Sequence, residues 1–390
     1  MPAPRQLPRE RRADALRSSR NDRPLAHALT SPPSLTNNDR VTGAAALLAT
    51  YAAVFALYLV VPGRWVEGYV KDQSGRPLRY HLNGLAVFVL SVGAFAALAH
   101  AEIVSWNFFY VHRYETLATA FVIGVVFTLA IVLRQMPTGR GLFKDLYLGR
   151  LENPQRGRID AKMFLYLIGA VMLELNLVSF AAHHVLTHDA PSPGVFLYTA
   201  LFTFFLVEYL FFERVHLYTY DFVAERVGFK LGWGCLVFYP FFYCVGLWFA
   251  AEQPSPETPL PLLVLYAALF FLGWTFARGA NLQKYAFKTA PDRKRFGPFE
   301  QRAIGGRVLA SGFWGLSRHV NYLGEILMAS ALALALGYPA SLWPWMYPLY
   351  YIVLLVPRQI ADDARCKEKY GPIWDEYVAQ VPRRIVPGLF

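Results

Sequence analysis

The residues able to do chemistry are concentrated in the last third of the chain. Arg278 ends the apolar run 259–278, and Asn281, Gln283, Lys284 and Lys288 follow it directly. Lys284 and Lys288 are four apart and share one helix face. Two ammonium groups so placed suit phosphate; the competing reading is an interfacial anchor, with both lysines reaching for lipid head groups. A second block reads Arg318-His319-Val320-Asn321-Tyr322-Leu323-Gly324-Glu325. Arginine offers a planar fork for phosphate or carboxylate. Asn281, Gln283 and Asn321 offer the paired donors and acceptors that an amide ligand needs. His319 is either an acid or phosphate donor or a satisfied interfacial histidine. A third block holds Arg358, Asp362, Asp363, Arg365 and Cys366, with Arg358, Asp362 and Arg365 on one helix face at spacings of four and three. Tyr370, Trp374 and Tyr377 follow, and a disordered tail would be poor in aromatics. The tail is therefore expected to dock.

Glu208, Glu213, Asp221 and Tyr243 interrupt apolar stretches further upstream. Ionisable groups in such stretches are costly and face an interior or a cavity; Glu213 and Asp221 also lie near a span end, where an interfacial position costs little. His183, His184 and His188 have no acidic or cysteine partner nearby to complete a ligand set, so no metal site is expected. Nucleotide motifs of the Walker and Rossmann types, and the Gly-Xaa-Ser-Xaa-Gly elbow, are missing. Any nucleotide needs a pocket of another kind.

The elements that must position these groups are membrane helices. Hydrophobic residues make up 55% of the 390, and charged residues 17%, against about 25% charged in an ordinary soluble domain. The formal charge of +11 sits in loops between apolar runs, as in cytoplasmic loops beside a bilayer. It does not form the basic face of a nucleic-acid-binding domain. Cys235, Cys244 and Cys366 are too few and too unevenly spaced for a disulfide framework. Windows of about 20 apolar residues predict spans near 42–61, 84–104, 115–134, 163–184, 194–213, 231–250, 259–278, 322–338 and 340–357. The last two read as a short helical hairpin joined by Gly337-Tyr338-Pro339. No segment has a strand period. The Lys- and Arg-rich loops 135–162 and 279–320 and the tail 358–390 belong in the cytosol. Counting back then puts the Arg-rich tail 1–40, read as disordered and cytosolic, on the wrong side. A tenth span is therefore expected.

Several of these blocks together resemble the integral-membrane sterol reductases, the group with the sterol C14, C7 and C24(28) reductases and the sterol domain of the lamin B receptor. The most specific segments are Asn281-Leu282-Gln283-Lys284, Ser311-Gly312-Phe313-Trp314-Gly315, Arg318 to Gly324, Asp362 to Cys366, Lys369-Tyr370-Gly371, and Val381-Pro382-Arg383-Arg384-Ile385-Val386-Pro387-Gly388. Weaker echoes are Pro62-Gly63, Leu82-Asn83-Gly84 and Gly228 to Gly234, with Pro240 to Tyr243. The resemblance implies an all-α polytopic bundle of about ten spans. A substrate side would occupy 41–258 and a cytosol-facing NADPH region 259–390. A sterol would enter from the bilayer, in the endoplasmic reticulum of a eukaryote or the inner membrane of a bacterium. It implies a cofactor shell of Asn281, Lys284, Lys288, Trp314, Arg318, His319, Asn321, Tyr322, Arg358, Arg365 and Tyr370. Tyr243 and Asp362 would be the polar pair nearest the reacting double bond, and Glu213, Asp221, Cys235 and Gly246 would fall on the substrate side.

The implied chemistry is protonation of an isolated alkene followed by hydride delivery to the resulting cation. A positioned acid is worth roughly 10²–10⁴-fold. The chain also departs from the family pattern: Cys235 stands where C14 and C7 reductases carry Asp, Gly246 where they carry Gln, and Phe211-Phe212-Glu213 where they carry Trp-Asn-Glu. These departures touch the expected substrate side only. Two other readings compete, a membrane methyltransferase of the isoprenylcysteine carboxyl type and a sterol-binding protein without catalysis. The former shares the Arg-His and Asn-Tyr-Leu-Gly pattern but lacks the Asn281–Lys284 block. Nothing in the sequence gives an oligomeric state.

Overall fold

A computed structural model describes residues 42–389 of the chain. The expected cytosolic tail 1–40 lies outside these residues. All nine apolar windows become helices: α1 (Gly43–Val60), α2 (Gly84–His100), α3 (Arg113–Leu133), α4 (Ala161–Thr187), α5 (Pro193–Phe211), α6 (Phe229–Ala250), α7 (Leu260–Thr289), α8 (Val320–Ala335) and α9 (Leu342–Tyr370). A short α10 (Pro372–Gln380) follows. Six of them, α1 and α3 to α7, are long and apolar enough to cross a membrane, and α2 and α8 are apolar but shorter. The chain is a mostly helical, multi-pass membrane protein.

Helix starts follow the local chemistry. Asp160 caps α4 by accepting from the Met163 N–H at 2.8 Å. Ser192 caps α5, whose first residue is Pro193. The most apolar window of α4 is 89% buried, whereas those of α1 and α7 are only 22% buried. α4 is thus the central post of the bundle, and α1 and α7 present apolar sides outward, as helices facing lipid do. α7 and α8 touch backbone to backbone. A Cβ on Gly324 would meet the Ala277 N and the Gly273 O at 2.4 Å, so this glycine of the Arg318–Gly324 block permits the close crossing typical of membrane helices.

α6 is irregular. Its first half, Phe229–Phe238, is a π-helix, followed by turns at Tyr239–Phe242 and Val245–Ala250. Gly232 and Gly234 make the wide turn cheap, and such segments often mark functional sites. Here it turns Leu231, Cys235, Phe238 and Tyr239 into one cavity.

The structure corrects two sequence expectations and lends no support to a third. First, the chain does contain strand: β1 (Arg64–Lys71) pairs antiparallel with β2 (Pro77–Leu82). Alternation is blurred there by Gly68 and by a register shift between Glu67 and Lys71, so the period-2 signal fails. Three further ladders have only two residues per strand. Second, the last helix is not short. α9 runs 29 residues through Pro348 and Pro357, which makes the block 358–370 its direct continuation. The expected tenth span has no counterpart among the described residues. The Gly43 N–H donates to Glu115 Oε2 at 2.7 Å, near the end where Arg113 reaches Glu252 at 3.3 Å. Lys369 and β1 meet at the other end, so α1 begins opposite the basic loops.

The expected docking of the tail is seen. The Arg318 and His319 N–H groups donate to the Arg383 and Arg384 carbonyls at 3.0 and 2.7 Å, and Ser317 Oγ donates to the Ile385 carbonyl at 2.8 Å.

Candidate active site

One cavity of about 310 Å³ runs between α4, α5, α6, α7, α8 and α9, a size within the usual range for small-molecule sites. Side chains from both the polar C-terminal blocks and the apolar upstream helices line it. Its walls divide by chemistry into a basic mouth, a belt of buried ion pairs and a tyrosine-rich interior.

The mouth is formed where α7 leaves the apolar layer. Lys284 lies over the Trp314 ring, 5.6 Å from its centroid. Lys288 and Arg307 flank the Tyr370 ring at 5.9 and 5.3 Å. None of Lys284, Lys288 and Arg307 has a carboxylate within ion-pair distance among the described residues. The surrounding scaffold is tightly held. Gln283, fully buried, accepts from the Phe313 N–H at 3.0 Å and donates to the Ser311 carbonyl at 3.1 Å. Trp314 Nε1 donates to the Ala280 carbonyl at 2.9 Å, and Tyr377 Oη donates to the Trp314 carbonyl at 2.8 Å. The Asn281-Leu282-Gln283-Lys284 block thus fixes the Ser311–Gly315 loop with Gln283 and leaves Asn281 and Lys284 facing the cavity.

Arginines of the belt are paired instead. Arg318, only 4% exposed, donates to Asp363 Oδ2 at 3.0 Å and to the Val381 and Pro382 carbonyls at 3.1 and 3.0 Å. His319 shares Asp363 at 3.3 Å and stacks on Tyr322. Tyr322 Oη donates to Asp362 Oδ2 at 3.4 Å. Arg358 is bonded to Asp221 and, at 3.2 Å, to Glu225, which also receives Lys230 at 3.0 Å. Lys162 of α4, fully buried, donates to the carbonyls of Asp221 and Phe222 at 2.8 and 3.2 Å and so holds that loop against Arg358. Deeper still, Arg278 makes two 2.5 Å bonds to Glu208 and lies 3.3 Å from His216 Nε2. Both partners are nearly inaccessible, and a buried pair of this kind leaves a strongly unfavourable lone charge when one member is removed.

The interior is a nest of phenols. Tyr166, Tyr209, Tyr239, Tyr243, Tyr350 and Tyr351 line it, with Phe205, Phe238, Cys235 and Trp274. The Tyr243 ring lies 4.3 Å from that of Tyr239 and 4.5 Å from that of Tyr347. Its carbonyl accepts from Tyr198 Oη at 3.2 Å.

The structure brings together most residues singled out in the sequence. Asn281, Lys284, Lys288, Trp314, Arg318, His319, Asn321, Tyr322, Arg358, Tyr370, Tyr243, Asp362, Asp221 and Cys235 all line this cavity. Three stand apart from its lining. Arg365 is exposed and donates to the Val223 carbonyl at 3.3 Å. Glu213 is buried against α2 and accepts from the Gly84 N–H at 3.3 Å. Gly246 packs on α9, where a Cβ would lie 3.0 Å from Pro344 Cα. Asp362 also meets Tyr322, while the near neighbours of Tyr243 are other tyrosines. Sequence reasoning missed Arg307, Glu225, Lys230 and the phenols of Tyr239, Tyr350 and Tyr351. The run Tyr347, Tyr350, Tyr351, spaced three and four apart on one helix face, was the available signal.

The chain matches the family model described as the ergosterol biosynthesis ERG4/ERG24 family over residues 36–390. It belongs to that family. Among its relatives, a Delta(14)-sterol reductase of Arabidopsis thaliana is 33% identical over 361 residues, covering 88% of this chain and 96% of that protein. The mouse Delta(14)-sterol reductase TM7SF2 is 32% identical, covering 86% and 82%. A Delta(14)-sterol reductase of the bacterium Methylotuvimicrobium alcaliphilum is 30% identical, covering 87% and 82%. Within this ERG4/ERG24 member, the residues at the mouth fit a nicotinamide dinucleotide. Unpaired cations suit its phosphates, and the Trp314 and Tyr370 rings suit its bases. The Asn321 Oδ1, buried with no hydrogen-bond partner, suits an amide N–H.

Proposed function

We propose that this protein reduces the Δ14 double bond of a membrane-dissolved sterol, with NADPH as reductant. One observation carries the reading: a single cavity joins bare cations at its mouth to a tyrosine-walled interior that an apolar ring system can fill. The relatives named Delta(14)-sterol reductase favour C14 over C7 and C24(28). Of the departures named above, Phe211, Phe212 and Gly246 lie off the cavity lining, whereas Cys235 touches it. We read all nine helices as crossing or entering the bilayer, with the mouth facing the cytosol.

The chemistry follows from the two ends. The interior is lined by phenols and apolar rings, so a phenol is the acid this reading sets beside the alkene. Tyr243 Oη donates its proton to the less substituted alkene carbon, whose π electrons form the new C–H bond. The other carbon is left as a tertiary cation. The Tyr239, Tyr347 and Tyr350 rings surround Tyr243, and the π-systems of such rings stabilise positive charge. Bound at the mouth, NADPH supplies the hydride that completes the reduction. The Tyr243 phenolate regains a proton from Tyr239 or Tyr350, which line the same cavity. Asp362 acts on the cofactor side by orienting Tyr322.

Thermal shift on protein purified in detergent tests the cofactor. NADPH should stabilise it and S-adenosylmethionine should not; the opposite result establishes the methyltransferase reading. A panel of Δ7, Δ14, Δ24 and Δ24(28) sterols with NADPH should give reduction of the Δ14 member alone. Reduction of another member would move the assignment within the family.

A further inference from the structure

The β1–β2 hairpin is the link between two membrane helices. α1 ends at Val60, β1 begins at Arg64, β2 ends at Leu82 and α2 begins at Gly84. Its roots are clamped where these helices end. Asn83, buried, donates through Nδ2 to the Tyr58 and Val61 carbonyls at 3.0 and 2.9 Å. Arg158 Nη2 donates to the same Val61 carbonyl at 2.8 Å and lies 2.9 Å from His81 Nε2. The end of α5 is tied to this place as well, because Glu213 accepts from the Gly84 N–H at 3.3 Å. Arg214, the next residue, is thereby set beside the hairpin.

An open groove of about 450 Å³ lies there, lined by Arg64, Trp65, Val66, Glu67, Arg79 and Arg214. It shares no lining residue with the cavity between the helices. The Arg79 guanidinium stands 5.5 Å from the centroid of the Trp65 ring. Among the described residues Arg64, Arg79 and Arg214 have no carboxylate within ion-pair distance. Glu67 faces Arg79 in the strand register but stays beyond that distance, so the groove sets three guanidinium groups against one carboxylate. Such an excess attracts an anion, and guanidinium forks fit phosphate oxygens. Two features point to a lipid as the source of that phosphate. The groove is built where α1, α2 and α5 end, which is head-group depth for membrane helices. Its surroundings are apolar and open: Trp65 is 46% exposed, and Phe211, the last residue of α5, is 67% exposed. Tryptophan in such a place belongs to the interfacial belt, and a soluble phosphate would gain nothing from it.

We propose that this groove binds one anionic phospholipid, with its phosphate held by Arg64, Arg79 and Arg214 and its glycerol backbone against Trp65. The bound lipid pins the hairpin to the bilayer surface. A choline head group would bring its own ammonium toward the guanidinium groups, so a zwitterionic lipid is disfavoured. The groove lies at the end of the bundle where Lys369 of α9 donates to Tyr69 of β1 at 2.8 Å. That end is read above as cytosolic, and the cytoplasmic leaflet is the one that carries anionic lipids. The site itself depends on the multi-pass placement of the helices and stands apart from the reductase reading.

Native mass spectrometry of the full-length protein tests the site, with phosphatidylglycerol or phosphatidylcholine titrated into the detergent. Wild type should retain one phosphatidylglycerol in preference to phosphatidylcholine, and the preference should shrink as salt rises. Arg64→Gln and Arg214→Gln should each weaken that phosphatidylglycerol about fivefold, the factor for one arginine near an anionic lipid surface. Binding of phosphatidylcholine and the thermal midpoint should stay as in wild type. The two arginines stand on different elements, so if one variant fails to fold the other still reads the site. Arg293→Gln, on an exposed loop elsewhere, should change nothing. A wild type without the preference, or arginine variants that keep it in full, would overturn the proposal. Equal weakening of both lipids would reduce the groove to an apolar contact, and displacement of the lipid by inorganic phosphate would make the occupant a soluble anion; each overturns it too. All of these outcomes leave the reductase reading untouched, since none of the substituted residues lines its cavity.

Discussion

At the mouth of the cavity Lys284, Lys288 and Arg307 have no carboxylate partner among the described residues, while its inner end is lined mainly by phenols packed ring on ring. Between them Arg278, Arg318 and Arg358 are each held by at least one carboxylate. The same cavity therefore uses cations in two ways. Bare ones at the rim await an anion, and paired ones deeper in fix the helices that carry them. The interior is lined by phenols, the donors that the proposed reaction needs, in a place where a free cation would repel a carbocation. Being cationic and lining the cavity is thus not enough to assign a residue to the ligand; its partner decides.

Four substitutions can break or sharpen this contrast. The largest effect belongs to the inner end. Tyr243→Phe should lower kcat by roughly 10²–10⁴-fold and leave the NADPH Kd unchanged, read by single-turnover kinetics beside calorimetry. An unaltered kcat would remove Tyr243 as the acid. Next comes the belt. Arg278→Met strands Glu208 without its partner and should cost about 3–5 kcal/mol, seen as a lower thermal midpoint. Glu208→Leu with Arg278→Met should recover most of that loss. If the single variant is as stable as wild type, the paired arginine is no scaffold. Third is the mouth, where Lys284→Ala should raise the NADPH Kd by about tenfold or more without moving the thermal midpoint. A fall in stability with no change in affinity would reverse the roles assigned to mouth and belt. The smallest effect is Gly246→Ala, which crowds Leu336 and Pro344 at 3.0 Å. It should cost on the order of 1 kcal/mol and leave sterol selectivity as it is; altered selectivity would return Gly246 to the substrate side.

The helical frame was legible because long apolar windows, most of them of bilayer length, leave the backbone no other way to satisfy its hydrogen bonds. The C-terminal blocks were legible because polar side chains of such density between apolar runs need a reason. The partner of each charge was not legible. Arg358 finds Asp221 and Glu225 from a loop more than 130 residues away, and Arg278 finds Glu208 across 70 residues; one-dimensional spacing holds no record of such meetings. The hairpin escaped for a local reason, since its bulge and Gly68 destroy the alternation by which strands are read. The tyrosine nest was overlooked because phenols in an apolar run look like filler until the helices bring them to one point.

The most direct measurement traces the two hydrogens. Purified protein is given a Δ14 sterol and NADPH deuterated at the transferable position, in ordinary water. The product should be saturated at that bond, with deuterium on C14 and ordinary hydrogen on C15, and in Tyr243→Phe the same labelled product should form far more slowly. A product without deuterium, or no reduction of the Δ14 bond while NADPH binds, would contradict a cavity that brings hydride from its mouth and a proton from its tyrosine-lined interior.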